Sequence, residues 1–173
     1  MSQASINDFP KPTFVTGGCL CGSIRYRVDF PMDHDFLKAS GSCQCTQCRR
    51  ITGSLFVASH MIHKDSIRYT TSLETLKNYS ATPGFNRGIC TNCGSFLYWQ
   101  DTTTENIELA VGCVDPKFLF DEDGKGEAFG FALANMAGTH FWCRNQIPGV
   151  TDTMIGSNRG VKWAKSTDEG IKM

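Results

Sequence analysis

The sequence predicts a mainly β domain. Short period-two runs rich in branched and aromatic residues recur along it, turn residues separate them, and helical periodicity is scarce. The first run is 24–28 (Ile-Arg-Tyr-Arg-Val), the second 66–69 (Ser-Ile-Arg-Tyr), the third 95–99 (Ser-Phe-Leu-Tyr-Trp) and the fourth 107–111 (Ile-Glu-Leu-Ala-Val). Between the first two, residues 46–51 make the best helical segment, one or two turns ended by Gly53. Residues 121–126 read as an acidic, glycine-containing loop, and both it and the C-terminal tail are expected to be peripheral. A chain of 173 residues fits one domain. The expected organisation is an N-terminal extension over 1–12, the domain over 13–150 and a polar tail over 151–173.

Charge and hydropathy exclude several classes of partner. Lys plus Arg and Asp plus Glu stand at 17 each, so no net field draws in nucleic acid or an anionic membrane. No stretch approaches the ~18 apolar residues a membrane span needs, and residues 1–12 lack the basic start and apolar run of an export signal. The expected location is the cytoplasm.

Nine cysteines are many for an unsecreted chain, and in a reducing compartment such cysteines bind metal or react more often than they pair. Seven are clustered as Cys19 and Cys21, then Cys43, Cys45 and Cys48, then Cys90 and Cys93, while Cys113 and Cys143 stand apart. That clustering is a zinc signature. Residues i and i+2 of a strand face the same way, so Cys19 and Cys21 supply half a site if the backbone bends slightly. Cys90 and Cys93 flank a tight turn in which Asn92 and Gly94 tolerate left-handed conformations, and they supply the other half. Spacing alone leaves the pairing of the halves open. Cys43, Cys45 and Cys48 put three sulfurs on one short loop, which leaves one coordination position open unless Cys113, Cys143 or a histidine closes it. The expected cofactor is zinc, two ions per chain.

Three thiolates around a zinc ion leave a net charge of minus one, which makes a poor water activator but a soft site suited to a further sulfur. A small thiol is the natural cosubstrate, deprotonated on coordination. Arg49 and Arg50 follow Cys48 directly and are candidates for holding its carboxylates.

The remaining candidates have plainer readings. His60 and His63, three apart in an extended stretch, face apart and are expected on the surface or in packing. His140, on a presumed strand, is expected in the core or behind a metal ligand. Trp99, Trp142 and the 12 phenylalanines are expected to fill the core, and Cys143 to sit buried as a small hydrophobe.

The run Gly17-Gly18-Cys19-Leu20-Cys21-Gly22-Ser23, then Cys43-Gln44-Cys45-Thr46-Gln47-Cys48-Arg49-Arg50-Ile51-Thr52-Gly53, then Cys90-Thr91-Asn92-Cys93-Gly94-Ser95, resembles the glutathione-dependent formaldehyde-activating family over about residues 14–148. That family shares its domain with centromere protein V. The resemblance implies a single-domain, all-β, tent-like fold with little helix. It further implies that Cys19, Cys21, Cys90 and Cys93 are structural zinc ligands and that Cys43, Cys45 and Cys48 are the catalytic ones. It also implies a carbon-sulfur lyase-type activity, the joining of formaldehyde to glutathione as S-hydroxymethylglutathione. Three positions depart from the family pattern. Gln44 stands where histidine is usual, Ile147-Pro148-Gly149 lacks the aromatic residue that usually follows proline, and Cys113 stands where a small residue or Ser/Thr is expected. These departures bear on the substrate, not on the metal ligands. Addition, elimination or cyclisation on a larger metabolite is the rival within the same fold. A non-catalytic binding module or a purely structural zinc domain is the rival outside enzymology; the former would be marked by a long basic extension, which this sequence does not show.

Overall fold

The computed structural model describes residues 8–121, 128–154, 160–167 and 171–172, and over these the chain is mostly β. The strands in chain order are β1 (Phe14–Gly18), β2 (Arg25–Asp29), β3 (Ser40–Cys43), β4 (Val57–His63), β5 (Ile67–Tyr69), β6 (Leu76–Thr82), β7 (Phe85–Cys90), β8 (Phe96–Asp101), β9 (Asn106–Ala110), β10 (Thr139–Phe141) and β11 (Val161–Lys162). Between and after them lie five short helices, α1 (Phe36–Ala39), α2 (Thr46–Thr52), α3 (Pro116–Leu119), α4 (Gly130–Ala134) and α5 (Thr151–Met154). All four expected runs are strands, namely β2, β5, β8 and β9, with small shifts at their ends. The expected helix is α2, and it stops where Gly53 takes a left-handed φ of 66° and its N–H closes on the Arg49 carbonyl.

Strands β1, β2 and β5 form a small antiparallel sheet, and the other eight run in the order β11-β10-β3-β4-β9-β8-β7-β6. The larger sheet is antiparallel from β3 to β6, whereas β10 lies parallel to both β3 and β11. Part of the segment expected as a peripheral tail therefore joins the sheet, and the Trp163 N–H donates to the His140 carbonyl at 2.9 Å. The acidic loop at 121–126 lies outside the described residues except for Asp121. Among the described residues no helix is long and apolar enough to cross a membrane.

The main core fills the space between the two sheets. Val15, Tyr26 and Val28 of the small sheet meet Ile62, Tyr98, Ile107 and Leu109 of the large one, with Ala132 and Leu133 of α4 closing one side. Alternation along β4, β8 and β9 sends Val57, Trp99 and Ala110 to the opposite face. There they pack with Cys48, Phe96 and Ile51, so the large sheet carries a second, smaller cluster under α2.

His60 faces the main core, only 2 % exposed, while His63 points outward, as i and i+3 on a strand require. The His60 Nδ1 lies 3.1 Å from the Leu133 carbonyl, which can only accept, so Nδ1 carries the proton. Its Nε2 then accepts from the His34 Nε2 at 2.9 Å. Phe30 and Phe36 pack their rings around the pair. Burial, reinforced by His34, pushes His60 down to about 3, and burial lowers His34 as well. Both are neutral in the folded protein at neutral pH. Below about pH 6.5 the unfolded chain takes up protons that the folded pair refuses, so stability present above that pH is lost as acid is added. The fall should reach about 1.4 kcal/mol per pH unit for each histidine held neutral. Urea unfolding between pH 7 and 5 measures it. The dependence should be shallower in His60→Gln, and equal slopes in the two proteins would place the acid sensitivity elsewhere.

Candidate metal centres

The first centre joins two turns from different sheets. Cys19 and Cys21 lie in the turn between β1 and β2, while Cys90 ends β7 and Cys93 lies in the turn between β7 and β8. The four sulfurs lie within 4.8 Å of one another, with Cys19 and Cys21 at 3.6 Å and Cys21 and Cys90 at 3.8 Å. Cys19 and Cys21 converge through a turn and not through the strand alternation expected for them: the Gly22 N–H returns to the Cys19 carbonyl at 3.1 Å and the Ile24 N–H points at the Cys19 sulfur at 3.2 Å. The other turn closes one residue wider, the Gly94 N–H reaching the Cys90 carbonyl at 2.8 Å. Gly22 and Gly94 both take φ of 77°, which explains a glycine directly after the second cysteine of each pair. Asn92, expected to share that role, does not adopt positive φ.

Side chains stitch the two turns together around the sulfurs. The Leu20 N–H donates to the Ser95 hydroxyl and the Asn92 amide donates to the Ser23 hydroxyl, each at 3.0 Å. Behind the first turn, Arg25 and Thr16 both donate to Asp115, at 2.7 Å and 2.5 Å. Burial alone would raise the Asp115 carboxyl, but those two donors hold it below the usual carboxylate range. Burial pushes the Cys19 thiol up to about 11, whereas the Ser95 hydroxyl and N–H draw Cys93 down to about 5.

The second centre is local. Cys43 ends β3, Cys45 caps α2 and Cys48 sits in its first turn, and the three sulfurs lie within 4.8 Å of one another. The cap is made by the sulfur itself, which accepts the Cys48 N–H at 3.3 Å. Cys43 pairs with Val57 of β4 and Phe141 of β10, so sheet strands flank the loop on both sides. The thiols share protons unequally. Hydrogen bonds from Cys43 and Cys48 draw Cys45 down to about 2, and the same sharing holds Cys43 far above the ordinary thiol range. Cys43 also lowers Cys48, but Cys45 and burial outweigh it and push Cys48 up to about 12 against the pull of the Arg87 charge. Among the described residues no fourth Cys, His, Asp or Glu joins this group.

Seven sulfurs in two tight groups form a donor set that could hold soft divalent ions and is consistent with zinc. Cys113 and Cys143 belong to neither group. The Cys113 thiol donates to the Phe96 carbonyl at 3.2 Å, and Cys143 is buried beneath the His140 carbonyl. His140 is wholly buried, hydrogen bonded to the Ser42 hydroxyl and to the Met136 carbonyl. Arg49 is occupied by the fold: it donates to the carbonyls of Leu55 and Asn145, each at 2.7 Å, and to the side chain of Gln44 at 3.4 Å. Arg50 lies exposed on α2. Gln44 is fully buried, and its N–H donates to the Phe141 carbonyl at 3.1 Å.

A cleft of about 500 Å³ opens between the C-terminal half of α2 and the β7–β8 turn, walled by Ile51, Thr52, Phe56, Cys93, Phe96 and Cys113 among others. It adjoins both centres. Cys43, Cys45 and Cys48 do not line it, but they belong to the cluster of Val57, Phe96 and Ala110, which do.

Sequence reasoning passed over one residue near the second centre, Arg87 of β7, which is buried and donates to the Gln47 side chain on α2. An arginine within a strand reads as a solvated position, and no local pattern marks it otherwise.

The family model described as glutathione-dependent formaldehyde-activating enzyme matches residues 14–129, a span that includes all seven clustered cysteines. Among solved structures, a protein from Rhodobacter sphaeroides aligns with a TM-score of 0.49 at 20% identity, covering 65% of this chain and 96% of that one.

Proposed function

Since the chain belongs to the glutathione-dependent formaldehyde-activating enzyme family, we propose that it is a zinc-dependent enzyme of the carbon-sulfur lyase type, acting in the cytoplasm on a small thiol. Glutathione is the first candidate for that thiol, and a small electrophile such as formaldehyde is the group that adds to it or leaves from it. The observation that supports this most directly is the group of three sulfurs with no fourth Cys, His, Asp or Glu beside it among the described residues, set against a group of four in the same chain.

A zinc ion held by Cys43, Cys45 and Cys48 would supply a Lewis-acid position at which a thiol loses its proton. The chain's own residues shape that position. The Cys48 N–H holds one lone pair of the Cys45 sulfur, which fixes the direction in which that sulfur would meet the ion. Arg49 ties the loop carrying the three cysteines to the segments at Leu55 and Asn145, which holds the spacing of the sulfurs. A carboxylate contact at Arg49 would compete with those bonds, so Arg50 is the better placed of the two for a carboxylate of the thiol. Cys19, Cys21, Cys90 and Cys93 would hold a second, structural ion that pins the small sheet to the large one. The volume and phenyl walls of the neighbouring cleft favour, as a second reading, a larger electrophile bound beside the thiol.

Protein purified without chelator should carry about two zinc ions per chain. Adding glutathione should raise the mean sulfur coordination seen by X-ray absorption towards four. No change at saturating thiol would remove thiol binding from the second site. A metal content near one, with the middle cysteines open to alkylation, would remove the site itself.

A further inference from the structure

Arg87 lies on the face of the large sheet that α2 covers. It pairs across the sheet with Trp99, which, like Cys43, Cys45 and Ile51, packs against the cluster of Cys48, Val57, Phe96 and Ala110. Its side chain is nearly shut off from water, with the residue only 4 % exposed. The one partner of the guanidinium among the described residues is the Gln47 amide oxygen, a neutral acceptor on the residue just before Cys48. Gln47 is itself steadied by Thr82 of β6, to which its amide donates at 3.3 Å. Among the described residues the Arg87 Nε and Nη1 have no hydrogen-bond partner, and no carboxylate pairs with the group.

A guanidinium does not give up its proton, and a buried one without an anion is unfavourable enough to require an explanation. Glu108, two strands away on the same sheet face, forms no ion pair with it, and the helix that Arg87 contacts through Gln47 carries Cys48 of the three-cysteine centre, a source of negative charge. Three thiolates around a divalent ion sum to minus one, which a single buried cation neutralises. The four-cysteine centre would carry minus two, yet among the described residues no buried arginine attends it; there Cys21 is exposed and water can screen the charge. The inner centre, with Cys48 buried and Cys43 and Cys45 half-buried, has far less of that help.

Resting on the reading of Cys43, Cys45 and Cys48 as a metal centre, we propose that Arg87 is the countercharge of that centre, a positioning residue that stabilises its negatively charged, metal-loaded form. Gln47 holds the guanidinium in place from the helix that carries Cys48. A thiolate entering the open position adds a second negative charge, so the same cation favours its capture.

Cobalt(II) is the probe, because its bonds to thiolate are visible by absorption for each ion taken up. Apo full-length protein, Arg87→Gln, Arg87→Lys and Cys45→Ser are titrated in reducing, oxygen-free buffer in competition with a chelator. Cys45→Ser identifies which part of the signal belongs to the inner centre. In Arg87→Gln that part should bind roughly ten- to a hundredfold more weakly and be released at higher pH, while the four-cysteine part is unchanged. Arg87→Lys should restore most of the difference. Equal affinity in Arg87→Gln and wild type, with both binding two ions, overturns this inference alone. So does equal weakening of both centres, which marks a role in folding only, or an Arg87→Lys as weak as Arg87→Gln. A wild-type protein that takes one ion overturns the metal reading of the inner centre and this inference with it.

Discussion

Cys90→Ser should lose the cooperative thermal transition of the wild type and most of its soluble yield. Cys90 is fully buried, and its sulfur lies 3.8 Å from that of Cys21, 69 residues earlier. The contact links the hairpin of the small sheet to the turn between β7 and β8 of the large one, and the main core lies between those sheets. Closing a loop of about 70 residues removes chain entropy worth roughly 4 kcal/mol by analogy with a disulfide. A structural zinc ion adds about 10 kcal/mol or more of binding energy that exists only in the folded chain. Serine is a poor ligand for a soft ion and leaves a buried hydroxyl where a thiolate stood, so both contributions suffer together. Domains of this size hold only about 5 to 15 kcal/mol of net stability, so the loss exceeds what the rest of the core can absorb. Circular dichroism on heating, beside the soluble fraction on expression, gives the answer. A variant that melts cooperatively within a few degrees of wild type would show that the four-cysteine centre does not close the fold.

How legible all this was in the sequence depended on how local each signal is. β2 alternates cleanly because one of its faces packs on the main core while the other does not, whereas β8 and β9 are legible from their branched and aromatic residues, since each has a core cluster on both faces. β1 and β3 escape such a reading because Phe-Val-Thr-Gly-Gly and Ser-Gly-Ser-Cys put small residues where backbones approach closely. β6 escapes it because it is an edge strand, exposed along most of its length and therefore polar on both faces. β10 and β11 are too short to show any period, and their parallel pairing joins residues from segments that read as unrelated. The candidate centres divide in the same way. Two turns of near-identical chemistry and a three-cysteine loop are visible as spacings. That Cys19 and Cys21 meet Cys90 and Cys93 is a fact of topology, which the family resemblance anticipated and spacing could not. The arginines invert the local expectation: Arg49, adjacent to the cysteines, is tied to backbone carbonyls, whereas Arg87, some 40 residues away, is folded against Gln47 of the helix that carries Cys48. Burial of a charge is a property of the whole sheet face and leaves no trace in a strand of six residues.

Cys45→Ser should do the opposite of Cys90→Ser and lose function while keeping the fold. Cys43, Cys45 and Cys48 span six residues and lie on a loop already held by β4 and β10, so an ion there closes no long stretch of chain. The position of Cys45 also softens the change. It caps α2, a site where serine is among the preferred residues, so its hydroxyl can accept the same Cys48 N–H. The small cluster beneath the helix keeps Val57, Phe96 and Ala110 intact. The cost in stability should therefore stay within about 1 to 2 kcal/mol. For the metal the substitution is severe: three sulfurs become two with a neutral hydroxyl, and the ion should be lost. Thiol-dependent turnover should then fall at least a hundredfold, with one zinc ion remaining per chain. Metal analysis, a thermal melt and an assay of adduct formation from glutathione and formaldehyde measure the three quantities on one preparation. If Cys45→Ser unfolds as badly as Cys90→Ser, the inner cysteines serve the fold; if it stays folded and fully active, whatever chemistry the protein performs does not pass through them.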